Sequence, residues 1–494
     1  MHKDEEKTAY PAPGFITGLI AGVGVLSARK IEEIHAASLR IMEQTGIVFH
    51  AEEARLLLQF HGARIDGKRV FIPARLVEMA LESCPGHFTI KARNPANAVT
   101  VGAGTPALEA ARGAVFIADS AGRRRKGTSE DLVKLTMLVQ TSTIINLNCC
   151  GITLPTDLHQ DALPAFSTIC SALHTDKPLA GYTLSEAASR ECLLLAEILY
   201  GGLEDNMVLG TICPLTPLSY DTKDLAAAFV YAKAGQPLCV TSCAMVGTTA
   251  PPTLAGTLAV NNAEVLAGIV LVQLIRSGIP IVYGNLSSIT DMRHISMAAG
   301  APEGILLQLA ARQLALFYHL PFRGGGALND AKAVDVQAGS ESMMNLMLMT
   351  MAGFDYIPHA VGMLDSYMSI SYEKFILDEE MLAAIYRLQR GIKVNEETLL
   401  SALVDQVGPG GNFFSTAETA HYFRREYWQP RVDVRQPQSF WEAAGAPEVP
   451  FKAMEVCQSR LDNYLKPDLA SPVETRLLKY YKDCYGQAEF LQPA

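Results

Sequence analysis

The fold this sequence predicts is α/β: a (β/α)8 TIM barrel with an N-terminal α+β layer before it and a C-terminal helical extension after it. Three observations lead there. From residue 129 onward, apolar strands alternate with long helical stretches, at 144–150, 178–183, 208–213, 238–243, 280–285, 321–325 and 356–361. Those strands are continuously apolar rather than alternating, which marks a parallel sheet covered on both faces. Their regular spacing over roughly 250 residues fits a closed barrel better than an open doubly wound sheet. The eighth strand is expected either at 115–118 or beyond Ser371.

The elements before the barrel follow from local signals. A helix begins at Ser27, with Ile31, Ile34, Leu39, Ile41 and Met42 on one face, and Thr45-Gly46 ends it before the extended 47–50. A second helix, 52–61, stops at Gly62, which suits a C-terminal glycine cap. Residues 64–72 form a hairpin around Asp66-Gly67, a strong two-residue turn signal. Pro73 opens another helix, and short strands follow at 88–92, 99–102 and 115–118. The division is then 1–127 for the N-terminal layer, 128–391 for the barrel and 392–494 for the extension. In the extension, VGPGGNFF (407–414) and HYFRREYWQPR (421–431) are expected to pack on the barrel exterior or cover its mouth.

Composition excludes several classes of function. The chain has 494 residues, 49% hydrophobic and 19% charged, enough for a large core. A net charge of -10 argues against nucleic acid or an anionic membrane as partner, because both need clustered Lys and Arg. The basic run 123–126 is short and reads as a solvated turn. The 10 cysteines form no CxxC pair and read as reduced core residues. Residues 1–10 are polar and acidic, and the apolar 15–26 is broken by glycines, so no signal peptide is expected. No run is expected to reach the roughly 18 apolar residues of a membrane helix, which together predict a cytoplasmic protein.

If the barrel reading holds, Asn148, Tyr182, Thr211, Ser242, Asn285, Arg323 and His359 end their strands at one mouth. The acids Asp157, Asp221, Asp291, Asp330, Asp365 and Glu373 lie further along the loops, where each is as able to cap a helix as to touch a ligand. Tyr182, Tyr220, Tyr283, Tyr367 and Tyr372 stand at or past strand ends, placed either to enclose a cation or to pack the rim. The segment LPFRGGGALNDAKAVDVQAGSE (320–341) joins Arg323 to Gly324, Gly325 and Gly326, whose lack of side chains permits close approach of a partner. No HExxH, GxSxG, phosphate-binding GxxxxGK[ST] or strand-linked GxGxxG is present, and of Cys149-Cys150 at most one sulfur can enter the barrel. No metal ligands and no catalytic side chain are assigned. A large barrel of this kind suits binding and orienting a substrate whose chemistry another component supplies.

Several long motifs are similar to those of the trimethylamine methyltransferase family: HAASLRIMEQTGIVFH, ARIDGKRVFIPARLVEMAL, IKARNP, RGGGALNDAK with DVQAGSE, SYEKFILDEEML, VGPGGNFF and FRREYWQPR. The resemblance runs from about residue 27 to 431. It implies a TIM-barrel methyltransferase that passes a methyl group from an amine to the Co(I) corrinoid of a separate cognate corrinoid protein, with no corrinoid held tightly by this chain. Founding members carry pyrrolysine, whereas this sequence has ordinary residues throughout. Members of that kind are associated with quaternary amines such as glycine betaine. A quaternary ammonium already carries the charge that makes a neutral tertiary amine its leaving group, so it needs no electrophilic activation. The resemblance thus implies Tyr182, Tyr367 and Tyr372 around the trimethylammonium head, with Asn285 and His359 nearby. A substrate carboxylate would meet Arg323 or His359, the corrinoid protein would dock at Gly324–Gly326 and along the segment 362–372, and the chain is expected to be a homo-oligomer. The alternatives are trimethylamine demethylation and non-catalytic betaine binding.

Overall fold

The computed structural model of the chain describes residues 24–486. Eight parallel strands form the barrel in chain order: β1 (Ala107–Leu108), β2 (Asn148–Cys149), β3 (Leu179–Ala180), β4 (Val208–Ile212), β5 (Leu238–Ser242), β6 (Ile281–Asn285), β7 (Phe322–Arg323) and β8 (Tyr356–Ile357). β8 pairs with β1, and a parallel bridge from Glu109 to Leu147 joins β1 to β2, so the ring closes. A helix follows each strand: α1 (Ser129–Thr141), α2 (Leu163–His174), α3 (Glu186–Tyr200), α4 (Thr222–Lys233), α5 (Leu254–Ile275), α6 (Pro302–Phe317), α7 (Val336–Met351) and α8 (Tyr372–Gln389). Side-chain oxygens of Thr128, Ser185, Asp221, Thr253, Asp335 and Ser371 cap six of these helices at their N-termini.

Two expectations need correction. The eighth strand is Ala107–Leu108, ahead of residue 128, so the barrel begins inside what was read as the N-terminal layer. Phe116–Ala118 pairs instead with Arg124–Lys126 and Ser369–Ile370 in a small sheet at the mouth, and the segment beyond Ser371 is helix α8. β1 stands between Pro106 and the acid Glu109, so no continuous apolar run marks it.

The hairpin Phe88–Ile90 with Val99–Val101 closes the N-terminal end of the barrel. Its apolar side chains form one buried cluster with Ala107, Leu147, Ala180, Leu209, Cys239, Val282 and Tyr356, one inward residue from each of seven strands. The barrel is therefore plugged at that end and accessible only from the opposite one. Helix α5 runs for 22 residues and contains an 18-residue stretch of mean hydropathy 1.8, by length and composition enough to cross a membrane, which the sequence reading did not single out. It lacks a polar face because it is covered on both sides, by the barrel and by the N-terminal layer. Ser38 of helix Ala28–Arg40 donates to the Ala259 carbonyl, and Ser83 of helix Ala74–Ser83 donates to Gln273. Helix Val449–Asp462 packs on α1 and α8 through Arg460, which pairs with Glu379 and donates to the Leu138 carbonyl. Helix Ser471–Tyr485 lies on α2 and α3, where Tyr480 and Tyr485 donate to Glu191.

Candidate active site

Side chains alternate across a strand, so the inward set beginning with Leu209, Cys239 and Val282 continues at Thr211, Thr241 and Gly284. Arg323 on β7 joins them, its Nη1 donating to Thr241 Oγ1 at 3.2 Å. The guanidinium is 3% exposed, its Nε has no partner, and among the described residues no carboxylate pairs with it. Thiols and phenols surround it instead: Cys213, Cys239, Cys243, Tyr356 and Tyr367 all feel its charge. Cys243 is open to solvent, yet burial among protein atoms raises its thiol, with Arg323 opposing. Cys243 stands two residues beyond Thr241 on the inward side, so the recess above Arg323 at the barrel mouth is open to solvent.

His359 follows β8 in a left-handed conformation (φ 56°), and its Nδ1 accepts the backbone N–H of Arg112 at 3.3 Å. That leaves the ring proton on Nε2. Burial first, then the charges of Arg323 and Arg112, push its pKa well below the ordinary value, so the ring is neutral. Tyr367 stands edge-on to His359 at 5.2 Å between ring centroids, with a buried hydroxyl that has no partner. Tyr182 lies across the recess near Arg112, its hydroxyl 3.2 Å from Ser167 Oγ.

The sequence reading missed two members of this site. Glu109, just past β1, is fully buried, accepts from the Tyr356 hydroxyl, and lies 2.9 Å from Arg112 Nη2. Arg112 thus has an internal counterion and Arg323 has none. The signal was there in an acid and an arginine three apart within ALEAARG, passed over because the barrel was started too late.

Arg323, His359 and Tyr367 come together, Tyr182 stands by Arg112 with its hydroxyl held by Ser167 of α2, and the other expected residues lie elsewhere. Asn285 points outward from β6 and donates to Asn261 of α5, the face opposite Gly284. Asn148 and Ser242 likewise turn outward, to Ser171 and Glu264. Tyr372 sits at the start of α8 on the barrel exterior and donates to Asp131 of α1 at 2.9 Å. Cys149 faces inward toward Arg112, while Cys150 faces Cys192 behind the strand. Tyr220 and Tyr283 are fully buried behind the strands, bonded to Glu264 and Asn262. The loop acids are structural. Asp157 caps α1, Asp221 caps α4, Asp291 holds the turn at Arg293, and Asp330 accepts from the Ala299 and Gly300 N–H groups. Asp365 pairs with Arg124 and Lys332, and Glu373 accepts from Ser120 N–H.

Gly324, Gly325 and Gly326 are not a docking surface either, because all three are buried. A Cβ at Gly326 would lie 2.3 Å from the His359 carbonyl, and one at Gly324 would lie 2.4 Å from the Phe354 ring. The Gly325 N–H donates to Gln308 at 2.6 Å. The glycines let the β7 and β8 exits pack backbone to backbone, which fixes Arg323 and His359 in register.

With this geometry in hand, comparison with known proteins is informative. Residues 2–483 match the family model described as trimethylamine methyltransferase (MTTB). The chain is 36% identical to a glycine betaine methyltransferase of Desulfitobacterium hafniense, over 93% of this chain and 96% of the relative. It is 32% identical to a proline betaine:corrinoid methyltransferase of Eubacterium limosum, over 92% and 96%. A trimethylamine methyltransferase of Methanosarcina barkeri is 28% identical over 92% and 93%. Among solved structures, the monomethylamine methyltransferase of Methanosarcina barkeri superposes at a TM-score of 0.51, with 10% identity over 89% of this chain and 88% of that one, a likeness of fold.

Proposed function

The chain belongs to the trimethylamine methyltransferase family, and from that premise we propose that it moves a methyl group from a betaine, a quaternary amine bearing a carboxylate, to the reduced corrinoid of a partner protein. The observation that carries the betaine is Arg323. A guanidinium buried without a counterion costs several kcal/mol, and a substrate carboxylate restores the missing partner. Charge-assisted hydrogen bonds to it contribute about 1.5–3 kcal/mol each. Thr211 Oγ1 and Tyr367 Oη, both buried and unpartnered, add polar contacts at the same recess. Trimethylamine brings no anion and would leave Arg323 unpaired, which disfavours that alternative.

The recess also sets the direction of the substrate. Arg323 lies deep, so the carboxylate points inward and the ammonium head points to the mouth. There the faces of Tyr182 and Tyr367 suit a cation, at roughly 0.5–2 kcal/mol each. The partner's cobalt(I) supplies the nucleophile. As the new bond to the methyl carbon forms, the C–N pair stays on nitrogen and a neutral tertiary amine leaves, so the reaction transfers no proton. A neutral His359 is consistent with that, since it adds no positive charge beside the ammonium. This chain's part is positioning, which can contribute several kcal/mol by holding the reacting atoms about 3–3.5 Å apart. In this reading the corrinoid stays on its own protein, this chain holds none tightly, and both meet in the cytoplasm.

The test mixes the protein and the reduced corrinoid protein with a panel of betaines and with trimethylamine. The spectral change of corrinoid methylation should appear with a betaine and not with trimethylamine. Betaine binding without that change would mean a binding protein, and methylation from trimethylamine alone would overturn the substrate class.

A further inference from the structure

The segment between α8 and Val432 has almost no core of its own. Its helices Glu396–Leu399, Ser401–Val407 and Ala417–Glu426 bury one side chain between them, Leu403. Meanwhile Leu388, Ile392, Val394, Leu399, Phe414 and Tyr427 are 59–87% exposed. Ordering a chain costs about 1–2 kcal/mol per residue, and helices this short do not hold in water without packing. Their apolar faces therefore require a cover.

The attachment points show which cover fits. Barrel helices run against the strands, so the C-terminal end of α8 lies at the plugged end of the barrel. The arm leaves there at Gly391 and returns there, where Arg387 donates to the Glu426 carbonyl at 2.9 Å and Arg390 to the Arg425 carbonyl. A corrinoid protein must reach the opposite end, a statement that rests on the function proposed above, so it cannot cover the roots of this arm while it receives the methyl. The six side chains expose on the order of 500 Å² of apolar surface. With the polar residues between them, this approaches the roughly 800 Å² that each partner contributes to a stable interface.

We propose that residues 391–427 form an oligomerisation arm that packs against a second copy of this chain through a two-fold contact, to which Ile392 and Phe414, the most exposed of its apolar side chains, contribute most. Such a contact uses the same patch on both copies and closes on itself, so the apolar surface is hidden without filament growth. The motifs VGPGGNFF and FRREYWQPR thereby acquire a role on the barrel exterior, the first of the two placements expected for them, rather than over the mouth.

Sedimentation velocity of the full chain and of the double variant Ile392→Glu/Phe414→Glu tests this. The wild type should sediment as an oligomer at micromolar concentration. The variant should fall to a monomer, with kcat for methyl transfer per chain within about twofold, because both substitutions lie far from the recess. A monomeric wild type, or a variant of unchanged mass, overturns the proposal. If the variant aggregates, amide exchange of the wild type decides. Residues 391–427 should be protected at high concentration and exchange quickly on dilution, whereas fast exchange at both overturns it. Protection that appears only on adding the corrinoid protein would overturn it too. Loss of methyl transfer with the oligomer intact would instead count against the catalytic reading alone.

Discussion

At the scale of single residues, the site shows the mark of function placed at the expense of stability. Arg323 Nε and the Tyr367 hydroxyl are buried without partners, so replacing either with an apolar group of similar size removes a desolvation cost from the ligand-free protein. Arg323→Met is expected to raise the Tm of the ligand-free protein while raising the betaine KM by about 10-fold or more, from the roughly 1.5–3 kcal/mol of a charge-assisted contact. A lowered Tm with unchanged KM would place Arg323 in the structural framework. His359 gives a pH test. Its pKa is well below the ordinary value when folded, so below about pH 6.5 the unfolded chain takes up a proton that the native ring refuses, and stability falls as pH falls. An acid-unfolding series should therefore show a shallower loss between pH 6.5 and 5 for His359→Gln than for the wild type. Part of the candidate site was legible in the sequence: Arg323, His359 and Tyr367, which the structure brings together, were singled out because strand ends and the loops after them carry chemistry in a barrel. Asn148, Ser242 and Asn285 were misplaced because the two-residue alternation was not applied along each strand, where Gly284 inward means Asn285 outward.

At the scale of elements, the loop from β8 to α8 is the most strained and the most heavily held. His359, Asp365, Ser366 and Tyr367 all have positive φ, between 47° and 80°, a conformation costing of order 1–3 kcal/mol for each non-glycine residue. The restraints are side chains from neighbouring elements. Asp330 accepts from the Ser366 hydroxyl, Asp365 is clamped by Arg124 and Lys332, and Asp378 of α8 accepts the Gly362 N–H at 2.8 Å. Asp378 in turn pairs with Lys374, both side chains fully buried, and Lys374 also donates to Ser342 at 2.8 Å. Asp378→Leu would leave a buried ammonium unpaired and should cost about 3–5 kcal/mol, whereas adding Lys374→Met to it should recover most of that loss. Denaturant melts of the two singles and the double would show it, and simple additivity would refute the coupling. Apart from the Lys374–Asp378 pair, which is four residues apart on α8, these restraints were not visible in the sequence, since each joins residues far apart in the chain. The strands themselves were visible because burial on both faces writes a continuous apolar run, except β1, whose Ala107–Leu108 stands between Pro106 and the buried acid Glu109 with no such run around it.

At the scale of the whole molecule, the barrel has one closed end and one open end, and the two partners proposed above sort onto them. The plug of Phe88, Ile90, Val99 and Val101 seals the closed end, where the arm is rooted. The open end is rimmed by the loops after the strands, and these carry exposed apolar side chains: Leu184 after β3, Leu215 after β4, Met292 and Ile295 after β6, and Met368 after β8. Side chains of this kind around a recess suit a transient contact with another protein. Met292 and Ile295 flank the turn of the Ser288–Asp291 and Ser296–Ala298 hairpin, 68% and 70% exposed, so acidic substitution there leaves the barrel untouched. Met292→Glu/Ile295→Glu should lower kcat/KM for the corrinoid protein by about 10-fold or more, the loss of one to two apolar contacts at roughly 1.5 kcal/mol each. The same variant should retain wild-type betaine KM and wild-type transfer to free cob(I)alamin, which needs no protein docking. Equal losses with protein-bound and free corrinoid would mean that the hairpin shapes the recess itself, and unchanged rates with both would move the docking face to the loops after β3, β4 and β8.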